Sequence, residues 1–166
     1  MSLTSYKYAF ISFCLYSRSK PAFTMMMEIT VKRLVDFDAD LIQSIFEATG
    51  EKGVSPNPAF MEDQRNVLLV AYANGTTCGC IYAYILTSPH KPHPEMFLYS
   101  VDTFGNYRRQ GVASALIEHM KSVAKENGCK EMFVMTNDNN KAAMQLYEKT
   151  GGVVGNYDDI LFVYDL

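Results

Sequence analysis

Apolar residues recur along this chain at two spacings, and the switches between them divide it into elements. Residues Glu28–Leu34 alternate apolar and polar, the period of a half-buried strand. From Asp38 to Thr49 the period lengthens, and Leu41, Ile42, Ile45 and Phe46 form one helical stripe. Gly50–Pro58 is rich in Gly and Pro and reads as a loop, followed by a short second helix over Ala59–Arg65. Val67–Tyr72 and Cys78–Leu86 read as strands joined by Asn74-Gly75, a strong tight-turn signal. Ser88–Pro94 holds three prolines and two histidines and reads as a loop. A strand over Met96–Thr103 leads to a helix that begins near Val112. It carries Leu116, Ile117, Met120, Val123 and Ala124 on one face and ends near Asn127-Gly128. A strand Glu131–Thr136, a helix Lys141–Lys149 and a terminal strand Asp159–Tyr164 complete the order βααβββαβαβ. That order predicts an α/β domain: a mixed, mostly antiparallel central sheet with helices on both faces.

The most informative junction is Arg108-Arg109-Gln110-Gly111-Val112-Ala113, a basic glycine-containing turn between the Met96–Thr103 strand and the following helix. The first amides of a helix have no partners within it, and its dipole places partial positive charge at that end. A pyrophosphate fits there, on backbone N–H groups with arginines nearby. Gly111 lets the backbone approach the phosphate closely, and Ala113 is nearly as small.

Downstream, the Asn137-Asp138-Asn139-Asn140 capping cluster opens a helix that ends Tyr147-Glu148-Lys149-Thr150-Gly151. The pair of motifs resembles the GNAT superfamily of acyl-CoA-dependent N-acetyltransferases. Its signature is Arg/Gln-x-x-Gly-x-Gly/Ala, a helix, a strand, then Asn-x-x-Ala-x-x-x-Tyr-Glu-Lys-x-Gly. Arg108, Gly111 and Ala113 match the first part; Asn140, Ala143, Tyr147, Glu148, Lys149 and Gly151 match the second. The resemblance covers Phe97 to Gly151. It implies a sheet whose two middle strands splay apart, with the pantetheine arm of acetyl-CoA, the co-substrate, in the gap.

An amine attacking a thioester must lose its proton, the tetrahedral oxyanion needs a donor, and the departing thiolate benefits from a proton. A thioester is already activated, so no covalent enzyme intermediate is required, and no Ser-His-Asp or Cys-His constellation is convincingly spaced. Tyr147 is the candidate acid, two helical turns after Asn140 and on the same helical face. The resemblance implies that its hydroxyl reaches the coenzyme A sulfur and that Asn140 contacts the pantetheine arm, with Ala143 beside it. It also implies that a backbone amide near Val101, Asp102 or Thr103 is freed by a bulge to meet the thioester carbonyl. Cofactor contacts are therefore expected at Val101, Thr103, Arg108, Arg109, Gln110, Gly111, Val112, Ala113, Asn140, Ala143 and Tyr147.

The general base is less plainly marked. In Leu98-Tyr99 and in the closing Phe162-Val163-Tyr164-Asp165 the chain is similar to the aminoglycoside 3-N-acetyltransferases, in which an acidic residue often follows the tyrosine. Here that place is Ser100. Asp102 shares a strand face with Ser100 and can serve instead, directly or through a water. Glu95 and Asp165 are weaker options, and an amine that arrives neutral needs no base.

Composition changes little. At 166 residues with 48% hydrophobic and 20% charged residues, this is one globular domain with a real core. A net charge of −3 gives no nucleic-acid surface. Of the four cysteines, Cys78 and Cys80 lie two apart in a strand and would face the same way. They, Cys14 and Cys129 read as small apolar fillers in a reducing cytosol rather than as a zinc site. His90 and His93 lack a third ligand, so no metal is expected. The apolar run Ala9–Tyr16 is too short to span a membrane. Residues 1–24 read as an extension or an appended expression leader before Met25-Met26-Met27, or as an arm that packs on a partner, and 25–166 as a single catalytic domain.

The expectation is a cytoplasmic acetyl-CoA-dependent N-acetyltransferase acting on a primary amine of a small cationic acceptor, with an aminoglycoside-like aminosugar as the first choice. A polyamine, a protein or peptide N-terminus, and a non-catalytic acyl-CoA sensor are the alternatives, and a homodimer is left open. The loop Gly50–Pro58, with Glu51, is where the family resemblance places acceptor contacts.

Overall fold

The computed structural model describes residues 27–155 and 163–164. Five strands form one sheet in the order β1-β2-β3-β4-β5: Ile29–Leu34, Asn66–Ala73, Thr76–Leu86, Glu95–Thr103 and Met132–Val134. The first four are antiparallel neighbours, and β5 runs parallel to β4. Four helices accompany them: α1 Ala39–Thr49, α2 Ala59–Glu62, α3 Val112–Glu126 and α4 Lys141–Lys149. The mixed, mostly antiparallel sheet with helices on both faces is as the sequence pattern predicts.

Strand β2 is buried on both faces, so it reads as an unbroken apolar run rather than an alternation. Val67, Leu69 and Ala71 face one core with Leu98 of β4 and with Leu116, Ile117 and Met120 of α3. Leu68 and Val70 face a second core with Ile42 and Ile45 of α1. The α3 and α1 faces of the sheet thus have separate cores. Burying one such Leu or Ile side chain is worth about 1.5–3 kcal/mol, and this holds the helices flat on the sheet.

Two bulges decide which face each β3 and β4 side chain meets. Opposite β2, the pairing slips between Ala71–Gly79 and Tyr72–Thr77, which leaves Cys78 as the extra residue. Cys78 therefore joins the α3 core while Cys80 joins the α1 core. This corrects the expectation that the two thiols share a face: one inserted residue breaks the alternation. Opposite β3, the pairing slips between Ala83–Leu98 and Tyr82–Ser100, which leaves Tyr99 as the extra residue of β4. The implied bulge is present, but at Tyr99 rather than within Val101–Thr103.

Gly79 is required by close approach. A Cβ there would lie 2.5 Å from the Asp102 carbonyl oxygen and 3.0 Å from Val112 at the start of α3. Its hydrogen side chain lets the end of β4 and the α3 N-terminus sit against β3.

Most element boundaries fall within two residues of expectation, and the second helix and β5 are both shorter than expected. The second helix stops at Glu62 because Asp63 turns the chain: its carboxylate accepts from the Arg65 amide at 2.9 Å and from the Arg65 guanidinium at 2.7 Å. Strand β5 spans three residues rather than Glu131–Thr136, because only Met132, Phe133 and Val134 stand in register with β4, while Glu131 offers it just a carbonyl that accepts from the Met96 amide at 2.9 Å. The expected arm at residues 1–24, with Cys14, lies outside the described residues. So does most of the expected strand Asp159–Tyr164, together with Asp165. Among the described residues no helix is long and apolar enough to cross a membrane.

Candidate active site

The turn after β4 is built to leave donors free. Phe104 leads into a short 3₁₀ turn, Gly105–Tyr107, and the chain then turns through Arg109 and Gly111 at φ 59° and 90°. An L side chain is costly at such a φ and a glycine is not, so Gly111 suits the residue that caps α3. The Gln110 side chain donates to the Asn106 carbonyl at 2.8 Å, which ties the turn down. Among the described residues no acceptor meets the amide N–H groups of Arg109 to Ser114. A Cβ on Gly111 would meet no atom within 4 Å, so the turn is open at that residue. Six donors at a helix N-terminus, flanked by the exposed guanidinium groups of Arg108 and Arg109, fit a pyrophosphate. The Val112 side chain is buried in the α3 core, so this residue offers its amide only.

Next to this turn the sheet opens. Strands β4 and β5 pair at Met96–Met132, Phe97–Phe133 and Leu98–Val134, and no further. From Tyr99 to Thr103, β4 has no partner on the β5 side among the described residues. The splay implied by the resemblance therefore begins at the bulge.

Two sets of side chains approach the opening. On the α1 face, Ser100 donates to Asp102 Oδ2 at 2.6 Å, the length of a hydroxyl-to-carboxylate hydrogen bond. The Tyr99 bulge puts them there. Leu98 points into the α3 core, and without the extra residue Ser100 and Asp102 would follow it. With it, they pair with Tyr82 and Cys80 and share the α1 face. On the α3 side, Tyr147 of α4 is half-buried and lines a cavity of about 240 Å³ with Leu98, Ile117 and Val134. Burial raises the Tyr147 phenol above its ordinary value, and the Asp102 carboxylate adds to the rise. Tyr147 thus stays protonated at neutral pH and lies near enough to Asp102 to feel its charge.

Asn140 caps α4: its carboxamide oxygen accepts from the Ala143 amide at 3.2 Å. That bond fixes where the helix starts, hence where Tyr147 falls two turns later. Cys80, the register partner of Asp102, has its thiol pushed up to about 12 by burial and by that carboxylate, so it is no nucleophile. Glu95, a weaker candidate base, lies at the far end of β4 and pairs with Lys91. The His90 ring hydrogen-bonds Ser88 at 2.9 Å within the loop before β4.

A second cavity, of about 400 Å³, lies under the loop after α1, where acceptor contacts are expected from Gly50–Pro58. The loop contributes Glu51 through Asn57, and the sheet contributes Tyr82 and Tyr84. Sequence reading missed these tyrosines. The alternation Cys80-x-Tyr82-x-Tyr84 was the available signal, since it places both rings on one strand face. Tyr82 joins the two regions: it lines the cavity, pairs with Ser100, and stacks on Tyr99 with ring centroids 5.1 Å apart.

The site thus combines a turn of unpaired amides, a sheet that parts beside it, a hydroxyl–carboxylate pair and a half-buried phenol. The chain belongs to the acetyltransferase (GNAT) family, whose model matches residues 35–152. It is an acetyl-CoA-dependent N-acetyltransferase of that family. Among curated proteins none matches the chain. Among solved structures, it is similar to the aminoglycoside acetyltransferase meta-AAC0020 from an uncultured soil metagenomic sample, in complex with sisomicin. The TM-score is 0.74 at 22% identity, over 83% of this chain and 96% of that one. A second aminoglycoside acetyltransferase, HMB0005, also from an uncultured soil metagenomic sample, gives 0.70 at 25% identity, over 84% and 98%. The enzyme AAC(6')-Iy, in complex with a bisubstrate analog of coenzyme A and acetylneamine, gives 0.67 at 17% identity, over 84% and 99%.

Proposed function

We propose that this protein transfers the acetyl group of acetyl-CoA directly to a primary amine of a small cationic molecule, with both substrates bound together. The observation that carries this reading is the opening between β4 and β5. A carboxylate faces it from the acceptor-cavity side, a protonated phenol from the other, and free amides lie at its end. In this reading the Arg109–Ser114 amides, with Arg108 and Arg109, hold the pyrophosphate. The carboxamide N–H groups of Asn140, whose oxygen is engaged in the cap, meet the pantetheine arm.

Asp102, oriented by Ser100, accepts the proton of the attacking ammonium, directly or through a water. The amine nitrogen then forms a bond to the thioester carbon. A β4 backbone amide beside the Tyr99 bulge donates to the oxyanion. The carbon–sulfur bond breaks, and Tyr147 supplies a proton to the departing thiolate. The nitrogen still carries a surplus proton, which passes to the Tyr147 phenolate as the amide forms and restores it; Asp102 gives its proton to solvent, so one proton is released for each ammonium acetylated.

Thiol release from acetyl-CoA, measured across a panel of aminosugars, polyamines, peptides and simple amines, tests the reading. We expect turnover with at least one small amine. Tyr147→Phe should lower kcat by about 10²–10⁴-fold with little change in coenzyme A affinity. Tight coenzyme A binding with no turnover on any amine would instead establish an acyl-CoA sensor. An aminosugar leads the panel because sisomicin is the compound in complex with meta-AAC0020.

A further inference from the structure

The 400 Å³ cavity on the α1 face is at the small end of ligand sites, which span about 300–1,000 Å³. Four aromatic rings stand in its wall, those of Phe46, Phe60, Tyr82 and Tyr84. Tyr82 and Tyr84 stand side by side on β3, with centroids 6.1 Å apart, nearly perpendicular. Phe60 of α2 meets both edge-on, at 6.1 Å and 5.9 Å, and Phe46 of α1 meets Tyr82 at 5.9 Å. Such edge-to-face contacts, with Tyr99 stacked on Tyr82, fix the rings against one another and give the cavity a rigid aromatic wall.

Charge in the cavity is sparse. Among the described residues Glu51 is the one carboxylate in its wall, and Lys52 stands next to it with the opposite charge. Burial raises the Tyr82 phenol well above its ordinary value, with the neighbouring Tyr99, Tyr84 and Asp102 adding to the rise, so that ring is neutral at any working pH. An aminosugar of two or three rings brings several ammonium groups and many hydroxyls. Each ammonium or hydroxyl placed in a cavity needs a partner, or its desolvation goes uncompensated. One carboxylate beside an ammonium cannot serve several cations. A flat ring with one short aminoalkyl arm needs little: aromatic faces for the ring, and Asp102 for the single ammonium. Tyr82, which lines the cavity and pairs with Ser100, sets the arm's direction.

We propose that the preferred acceptor is an arylalkylamine, one aromatic ring bearing one primary amine, and that Tyr82 and Tyr84 select it. This rests on the N-acetyltransferase reading above and narrows its substrate class. The test compares kcat/KM for phenethylamine, butylamine, spermidine and neamine at fixed acetyl-CoA. The parent should prefer phenethylamine to neamine and to butylamine by about tenfold or more, the size of one good ring contact. Tyr84→Leu keeps apolar bulk and removes the ring. It should shrink the phenethylamine-to-butylamine ratio toward one, chiefly through KM. Preference for neamine or spermidine in the parent, or an unchanged ratio in Tyr84→Leu, overturns the proposal. Should no amine turn over, the catalytic reading fails, and calorimetric binding of phenethylamine against neamine still decides which ligand class the cavity takes.

Discussion

A hydroxyl that donates at 2.6 Å to a carboxylate oxygen holds that carboxylate in one orientation. Ser100 is therefore a positioning residue for Asp102, and the two should fail differently. Asp102→Asn keeps the shape and removes the proton acceptor, so kcat/KM should fall by about 10²–10⁴-fold and the acidic limb of the pH–rate profile should flatten. Ser100→Ala keeps the acceptor and loosens it, at a smaller cost and with the limb retained. An unaltered profile for Asp102→Asn would leave an amine that arrives neutral as the working route. The sequence placed these two residues on one strand face. It did not show which face, because that depends on Tyr99, whose extra place in β4 is set by pairing with β3 rather than by anything local. Cys78 repeats the lesson in β3. Tyr147 needed no such information: its spacing from the Asn140 cap is written within one helix.

Among the elements, α3 and the turn before it were the most legible, since a helix start, a glycine and two arginines declare themselves in six consecutive residues. The short β5 was less so, because its run of apolar residues continues past the point where β4 stops pairing with it. The α3 N-terminus should govern the donor substrate alone. Gly111→Asp forces a side chain onto a φ of 90° and sets a negative charge among the free amides. Calorimetric titration should show coenzyme A affinity weakened by about tenfold or more, ~1.4 kcal/mol. Gly111→Ala isolates the backbone part and should lose less. Equal affinity in Gly111→Asp and the parent would move the pyrophosphate elsewhere.

In the whole molecule, the two cores bury groups that dislike charge. Burial raises the thiols of Cys78, Cys80 and Cys129 and the phenols of Tyr82, Tyr84 and Tyr147 above their ordinary 9.0 and 10.0. At pH 7 these groups are neutral both folded and unfolded, and stability does not depend on them. Above about pH 9 the unfolded chain releases these protons while the folded chain keeps them, so the balance moves toward unfolding as pH rises. The urea midpoint should hold near neutrality and decline between pH 9 and 11. A flat midpoint across that range would mean the groups are solvated in the fold. One oddity remains in the sheet, the length of β4 from Tyr99 to Thr103 with nothing beside it on the β5 side among the described residues. A strand with a bare row of amides and carbonyls at the rim of a sheet invites pairing with another chain, and proteins usually blunt such edges. This one begins where β5 stops pairing, inside the strand order rather than at its outer rim. In the reading proposed above, backbone that would be an aggregation hazard on the outside becomes, on the inside, a berth for a slender molecule carrying amides of its own.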